Sequence, residues 1–284
     1  MMKIRIFLNL MIGILIVFFF SRTLLAQIEV EQWLDKTEYV EGEPVFLFVR
    51  ATNHTSVPVM FGIYYNTEIN VYDSNGKKYE PVISGNYIYR ENLFPDSTYE
   101  SFANLAGMGD KAKDVFYSYF REGNYYVYIH WKDKGMEITT PKLYFRVKKP
   151  NKYQQQVFDE FLKVLKISQT RSSSDEGKIL MKNLLEKYPN SIYVFNIYRL
   201  LWIYYRGEKI GFNLADQFVH RYPHHLYART SLFYIKEYFR RKKDKEGAIQ
   251  YFRKLLREKL DPGLNNNIKK NVLKRILNKP VEDW

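Results

Sequence analysis

Hydrophobic and polar positions follow two rhythms along this chain, and the change falls near residue 150. Before it, short runs alternate or stay apolar for four or five positions. Ile28-Glu29-Val30-Glu31, Val45-Phe46-Leu47-Phe48-Val49, Ile69-Asn70-Val71-Tyr72, Tyr125-Tyr126-Val127-Tyr128-Ile129 and Leu143-Tyr144-Phe145-Arg146-Val147 read as strands. Asp73-Ser74-Asn75-Gly76, Glu122-Gly123-Asn124 and Lys132-Asp133-Lys134-Gly135 supply tight turns between them. About seven strands over this length is the arithmetic of an antiparallel β-sandwich. The stretch from Ser84 to Val115 lacks a clear period and is expected to be rich in loops.

Beyond Pro150 and Asn151 the period lengthens. Val157, Phe158, Phe161, Leu162, Val164 and Leu165 form an apolar stripe at helical spacing. Ile179, Leu180, Leu184 and Leu185 do the same after the helix-start cluster Ser172-Ser173-Ser174-Asp175. Helix pairs are expected near 153–168 and 174–187, 192–206 and 209–221, and 226–243 and 245–260. A last helix near 265–278 would close the end, because an uncovered terminal face would leave apolar surface in water.

One motif returns after 34 residues. Lys187-Tyr188-Pro189-Asn190-Ser191-Ile192-Tyr193 is echoed by Arg221-Tyr222-Pro223-His224-His225-Leu226-Tyr227, and Gly177 and Gly211 stand one such interval apart. A fixed period of this size marks stacked helical hairpins rather than a closed enzyme core. The pattern resembles tetratricopeptide repeats, in which each unit has a small residue early in its second helix and a proline ending it. Gly177 and Gly211 match the first feature, and Pro189 and Pro223 the second. A third unit runs from Glu246 to Pro262 with Ala248 as its small residue, and carries two extra residues. Arg199 and Lys236 stand where the family has a small residue in the first helix, so the repeats are degenerate. They cover roughly 152–278. The resemblance implies a concave groove, lined by the first helices, that receives peptides.

Export is read at the other end. Lys3 and Arg5 precede an apolar run from Ile6 to Phe20, and Leu24-Leu25-Ala26 places a small residue before Gln27. That is the layout of a secretory signal peptide over 1–26. The run falls short of the roughly 20 residues that span hydrocarbon, so an uncleaved anchor is the lesser alternative. The destination is periplasmic, cell-surface or secreted. With Cys 0 there are no disulfides, no thiol nucleophile, no thiolate metal site and no cysteine-borne lipid anchor.

The early strands carry a second resemblance. Tyr39-Val40-Glu41-Gly42-Glu43-Pro44-Val45, followed by Asn53, resembles the opening of exported bacterial immunoglobulin-like and macroglobulin-type domains. Glu122-Gly123-Asn124-Tyr125-Tyr126-Val127 is similar to their late hairpin. The expected organisation is therefore α+β: a signal peptide over 1–26, an immunoglobulin-like sandwich over 27–148 and an all-α helical-hairpin repeat array over 149–284.

Charge divides at the same boundary. Residues 27–148 hold 13 Lys plus Arg against 17 Asp plus Glu, a net of −4. Residues 149–284 hold 28 against 14, a net of +14. A field of that sign draws any anionic surface. In an exported protein this points to an acidic protein or an anionic envelope component, with peripheral membrane contact left open, rather than to nucleic acid. Solvation of the outer helix faces is the plain alternative.

Chemistry finds little purchase. His220, His224 and His225 cluster, but Pro223 lies between them at an expected helix end, so no metal is assigned. His54 and His130 stand alone. No serine sits in a glycine-flanked elbow, and Gly107-Met108-Gly109 lacks the rest of a phosphate-binding pattern. No catalytic residue and no cofactor are expected. The binding candidates are polar positions on the first helices: Asn196, Arg199, Arg206, Arg229, Lys236 and Arg240. Arg206 and Arg240 are again one repeat apart, and arginine set among tyrosines suits an interface anchor. Trp202, Tyr204, Tyr205, Phe233, Tyr234, Tyr238 and Phe239 share those helices and are expected mostly in the core. The sequence thus reads as an exported, non-catalytic adaptor of undetermined oligomeric state. Two alternatives stay open: an envelope hydrolase or inhibitor working through the loops of Ser84–Asp114, and a self-associating surface component.

Overall fold

The computed structural model describes residues 28–62, 66–79, 91–106, 108–111, 114–117, 119–133, 135–170, 175–258 and 260–284. The expected signal peptide at 1–26, residues 84–90, 107, 112 and 113 of the stretch expected to be rich in loops, and the Ser172–Ser174 cluster lie outside them. The described residues form strands and then helices. The strands are β1 (Ile28–Leu34), β2 (Glu38–Val40), β3 (Phe46–Asn53), β4 (Val59–Phe61), β5 (Thr67–Asp73), β6 (Lys78–Tyr79), β7 (Glu91–Leu93), β8 (Thr98–Asn104), β9 (Met108–Lys111), β10 (Asp114–Tyr117), β11 (Gly123–Asp133), β12 (Met136–Thr139) and β13 (Leu143–Lys148).

Alternation in β3 sends Leu47, Val49, Ala51 and Asn53 inward and leaves Phe48, Arg50 and Thr52 outward. The strand lies between β1 and β8 in an antiparallel sheet, with Val30 opposite Ala51 and Arg50 opposite Glu100. A larger sheet runs β2-β13-β11-β5-β6, with β12 also on β11. It is mixed: β2 pairs with β13 in parallel, where only antiparallel pairing was expected. The inward residues of both sheets fall in one apolar cluster containing Leu47, Val49, Val71, Val127, Ile129, Trp131, Phe145 and Val147. Burying each large member contributes about 1.5–3 kcal/mol. Asn53 is buried among them and satisfied, donating through Nδ2 to the Leu93 carbonyl at 2.7 Å and the Val57 carbonyl at 2.9 Å.

Four short strands occupy the stretch read as loop. β8 was missed because Thr98-Tyr99-Glu100-Ser101 offers polar groups on both faces and only Ala103 and Asn104 are sealed. Its place at a sheet edge, beside β3, tolerates that composition.

The second compact unit includes Gly42–Pro44 as well as Pro150–Trp284. Its helices are α1 (Lys152–Thr170), α2 (Asp175–Lys187), α3 (Val194–Tyr204), α4 (Lys209–Arg221), α5 (Leu226–Lys242), α6 (Lys245–Arg257), α7 (Pro262–Asn267) and, after a π-helical segment at Ile268–Leu273, α8 (Lys274–Asn278). Each of α1 to α5 packs on the next helix in the chain, and α6 packs on the π-helical segment and α8. Side chains set the starts. Asp244 accepts from the Gly247 amide at 2.8 Å, and Asp261 accepts from Leu264 at 2.8 Å with Pro262 in the first turn. Lys243, at φ 55°, ends α5 in the left-handed conformation.

The early small residues Gly177, Gly211 and Ala248 are all buried. At Gly211 the reason is plain, because the space a β-carbon would fill is taken by the Tyr205 carbonyl oxygen. One expected stripe shifts. Ile179 is 56% exposed, and α2 buries Gly177, Met181, Leu184 and Leu185 instead. Its apolar face starts two residues earlier in the helical wheel than the leucines and isoleucine alone indicate.

Candidate functional site

The most strongly charged buried group among the candidates is one the sequence reading passed over. Glu237 lies in α5, and its residue is only 2% exposed. It follows Lys236 directly and precedes Arg240 and Arg241 by three and four positions. Helical geometry carries those two guanidinium groups back onto it. Arg240 donates through Nε to Oε2 at 2.7 Å and through Nη2 to Oε1 at 2.8 Å. Arg241 donates through Nε to Oε1 at 3.1 Å. Arg206, just past the end of α3, brings its Nε to 3.6 Å from Oε1. Burial alone would raise this carboxyl. The bonds from Arg240 and Arg241, with Arg206 nearby, outweigh it and hold the group down at about 2.

Arg206 and Arg240, one sequence interval apart, therefore meet on one carboxylate. The same surface gathers Lys236. Its Nζ lies 5.5 Å from the Phe233 ring centre, and the Arg206 guanidinium carbon lies 5.2 Å from that ring. Lys236 is 6% exposed. Burial first and Arg275 next lower its ammonium to about 8, with Glu237 opposing and Arg240 adding. Three arginines, Arg206, Arg240 and Arg241, thus share one carboxylate, and Lys236 lies on the same helix beside Phe233.

The other candidates stand elsewhere. Asn196 is buried and donates through Nδ2 to the Gly42 carbonyl at 3.3 Å. Arg199 is buried and donates through Nη1 to the Tyr227 hydroxyl at 3.3 Å. Arg229 is exposed beside Gly263 of α7. Of the six expected residues, the structure brings three together and adds Glu237, Arg241 and Arg275. The spacing Glu-x-x-Arg-Arg was the available signal for the first two. Arg275, near the C-terminus, had none.

The aromatic residues divide. Trp202, Tyr234 and Phe239 are buried, whereas Phe233, Tyr238, Tyr204 and Tyr205 keep part of their surface in solvent. Trp202 packs against Phe218 and Tyr234 at ring-centre distances of 5.0 and 5.5 Å.

The histidines have structural partners. His220 lies at 2.8 Å from Glu258 through Nε2 and accepts a carboxylate neighbour in Asp216 as well. Its protonated form is favoured overall: burial opposes it, and the bonds to Asp216 and Glu258 prevail. His224 lies 2.8 Å from Asp261. His225 stacks on Phe195 at 3.7 Å and caps α5, and burial lowers it to about 4. Among the described residues no three histidines or carboxylates are grouped to hold a metal.

Two recesses lie apart from the cationic surface. One of about 950 Å³ is lined by Gln250, Tyr251, Arg253, Lys254 and Arg257 of α6, and one of about 680 Å³ by residues of α1. Each is walled by a single helix, so neither encloses a small molecule. On the strand unit a tyrosine stack runs across β5 and β11. Tyr72 lies 5.3 Å from Tyr126 and 6.1 Å from Tyr128, nearly parallel to both, and Tyr144 beside them is 66% exposed.

No protein-family model and no curated protein matches the chain. Among solved structures it is similar to the sporulation control protein Spo0M of Bacillus subtilis, with 12% identity and a TM-score of 0.27, over 49% of this chain and 56% of that one. It is also similar to beta-glucosidase 3B of Thermotoga neapolitana, with 12% identity and a TM-score of 0.24, over 42% of this chain and 16% of that one. In both cases the match spans less than two thirds of the other protein. Among the described residues no helix is long and apolar enough to cross a membrane.

Proposed function

We propose that this is an exported, non-catalytic binding protein whose tetratricopeptide-like helical array receives an acidic segment of a partner protein. The immunoglobulin-like sandwich would hold that array in the envelope and offer a second recognition surface. The observation that carries the reading is the convergence of Arg206, Arg240 and Arg241 on the single carboxylate of Glu237, with Lys236 and Arg206 both set against the Phe233 ring. The helical region carries a net of +14, and at this place one carboxylate faces three arginines. Excess cations on one face attract an acidic partner and speed its encounter. The leader at 1–26 supports export, and the lack of cysteine and of a nucleophile motif supports a binding role.

The test is crosslinking capture from envelope fractions with the full chain, beside its Arg206→Glu variant. Arg206 suits the purpose because it is exposed and makes only the longest of the Glu237 contacts. The expected outcome is recovery of acidic proteins that salt releases and that the variant loses, since exposed charge attraction is screened. Salt-insensitive capture, retained by the variant, would favour the strand unit. Recovery of the chain alone would favour self-association.

A further inference from the structure

Lys236 stands apart from the other cations of this surface because, among the described residues, no ion pair or hydrogen bond reaches its ammonium. Among the described residues no carboxylate oxygen is within 4.0 Å of its ammonium, and the Phe233 ring centre lies 5.5 Å away. Glu237, the adjacent carboxylate, is one residue on and so about 100° around the helix. Both its oxygens are occupied by Arg240 and Arg241. The remaining charged neighbours, Arg240 and Arg275, are cations and make the position less favourable still.

Burying an ammonium is unfavourable unless a counter-charge accompanies it. An apolar side chain of similar length would pack against Phe233 without that cost. The residue is not wholly sealed, since 6% of its surface stays exposed. A recessed cation is complementary to an anion carried on a slender stem. A bilayer surface or a bulky polymer cannot follow it inward; a glutamate side chain of an extended peptide can.

We propose that Lys236 is the anchor of the cationic surface, left without an internal carboxylate so that it receives one glutamate carboxylate from the acidic segment of the partner. Arg206 and Arg275 flank the entering chain and Phe233 packs against its methylenes. This rests on the function proposed above, and the experiment separates the two.

A fluorescently labelled, C-terminally amidated hexaglutamate peptide, with hexaglutamine as control, is titrated into the full chain and into its Lys236→Met and Arg206→Glu variants. The expected result is binding of hexaglutamate alone, weakened at least about tenfold by Lys236→Met, the scale of one lost charge-assisted hydrogen bond. The same variant should melt no lower than the parent, because it removes an uncompensated buried charge. Its stability advantage should shrink as pH rises from about 8 towards the ordinary 10.5, where the parent's lysine loses its proton in the folded state first. Unchanged peptide binding by Lys236→Met with loss in Arg206→Glu would overturn the anchor and leave the surface. A lower melting temperature would make Lys236 a structural residue and overturn it too. No preference for hexaglutamate in the parent, or binding to phosphatidylglycerol vesicles in its place, would overturn both.

Discussion

Glu237 is where opposing forces are most nearly matched. Its burial favours the neutral acid, and three guanidinium groups favour the anion. The arginines win, and linkage fixes the sign of the consequence. A carboxyl lowered from 4.5 to about 2 in the folded state gives stability that is present above pH 4.5 and is lost as pH falls through about 2. Glu237→Gln keeps the shape and removes the charge. We expect it to cost about 1.5–3 kcal/mol at pH 7, the range for hydrogen bonds to charged groups, and less than half of that near pH 2. Urea unfolding at the two pH values checks this. Equal costs at both would show that the carboxylate charge is not what holds Arg206 and Arg240. At this scale the sequence was partly legible. The 34-residue interval picked out Arg206 and Arg240, and helical spacing could have picked out Glu237. Burial of Lys236 could not be read, because a lysine in a basic helix has the same pattern whether it faces water or neighbours.

At the scale of elements, the returning motif has a physical use. Its two copies touch: Tyr222 donates to the Pro189 carbonyl at 3.0 Å, and Arg221 donates to Asn190 at 3.0 Å. His224 reaches Asp261, which begins α7 beside the third proline, at 2.8 Å. These contacts link the ends of successive helices to one another. Gly211 shows the other constraint. In an open helix, alanine would be favoured over glycine by about 1 kcal/mol. Here the added methyl meets the Tyr205 carbonyl, so we expect Gly211→Ala to destabilise by about 1–3 kcal/mol as overpacking does. A thermal melt with the variant equal to or above the parent would refute the close approach. The helices were legible because stripes, caps and prolines agree. The strands at 91–117 were not. β8 is stabilised by its pairing with β3, and pairing across some 50 residues leaves no local trace.

For the whole molecule, the sign change at residue 150 matters more than any single cluster. A strand region of net −4 and a helical region of net +14 meet anionic surfaces very differently. The central claim is that the helical surface around Phe233 is what binds. Two photo-crosslinking positions test it in the full chain: benzoylphenylalanine in place of Phe233, and in place of Tyr144 on β13, which is exposed beside the tyrosine stack. The account predicts crosslinks from position 233 to acidic peptides of a partner, suppressed by salt, and few from position 144. Crosslinks from 144 alone, or from 233 to peptides without acidic character, would contradict it.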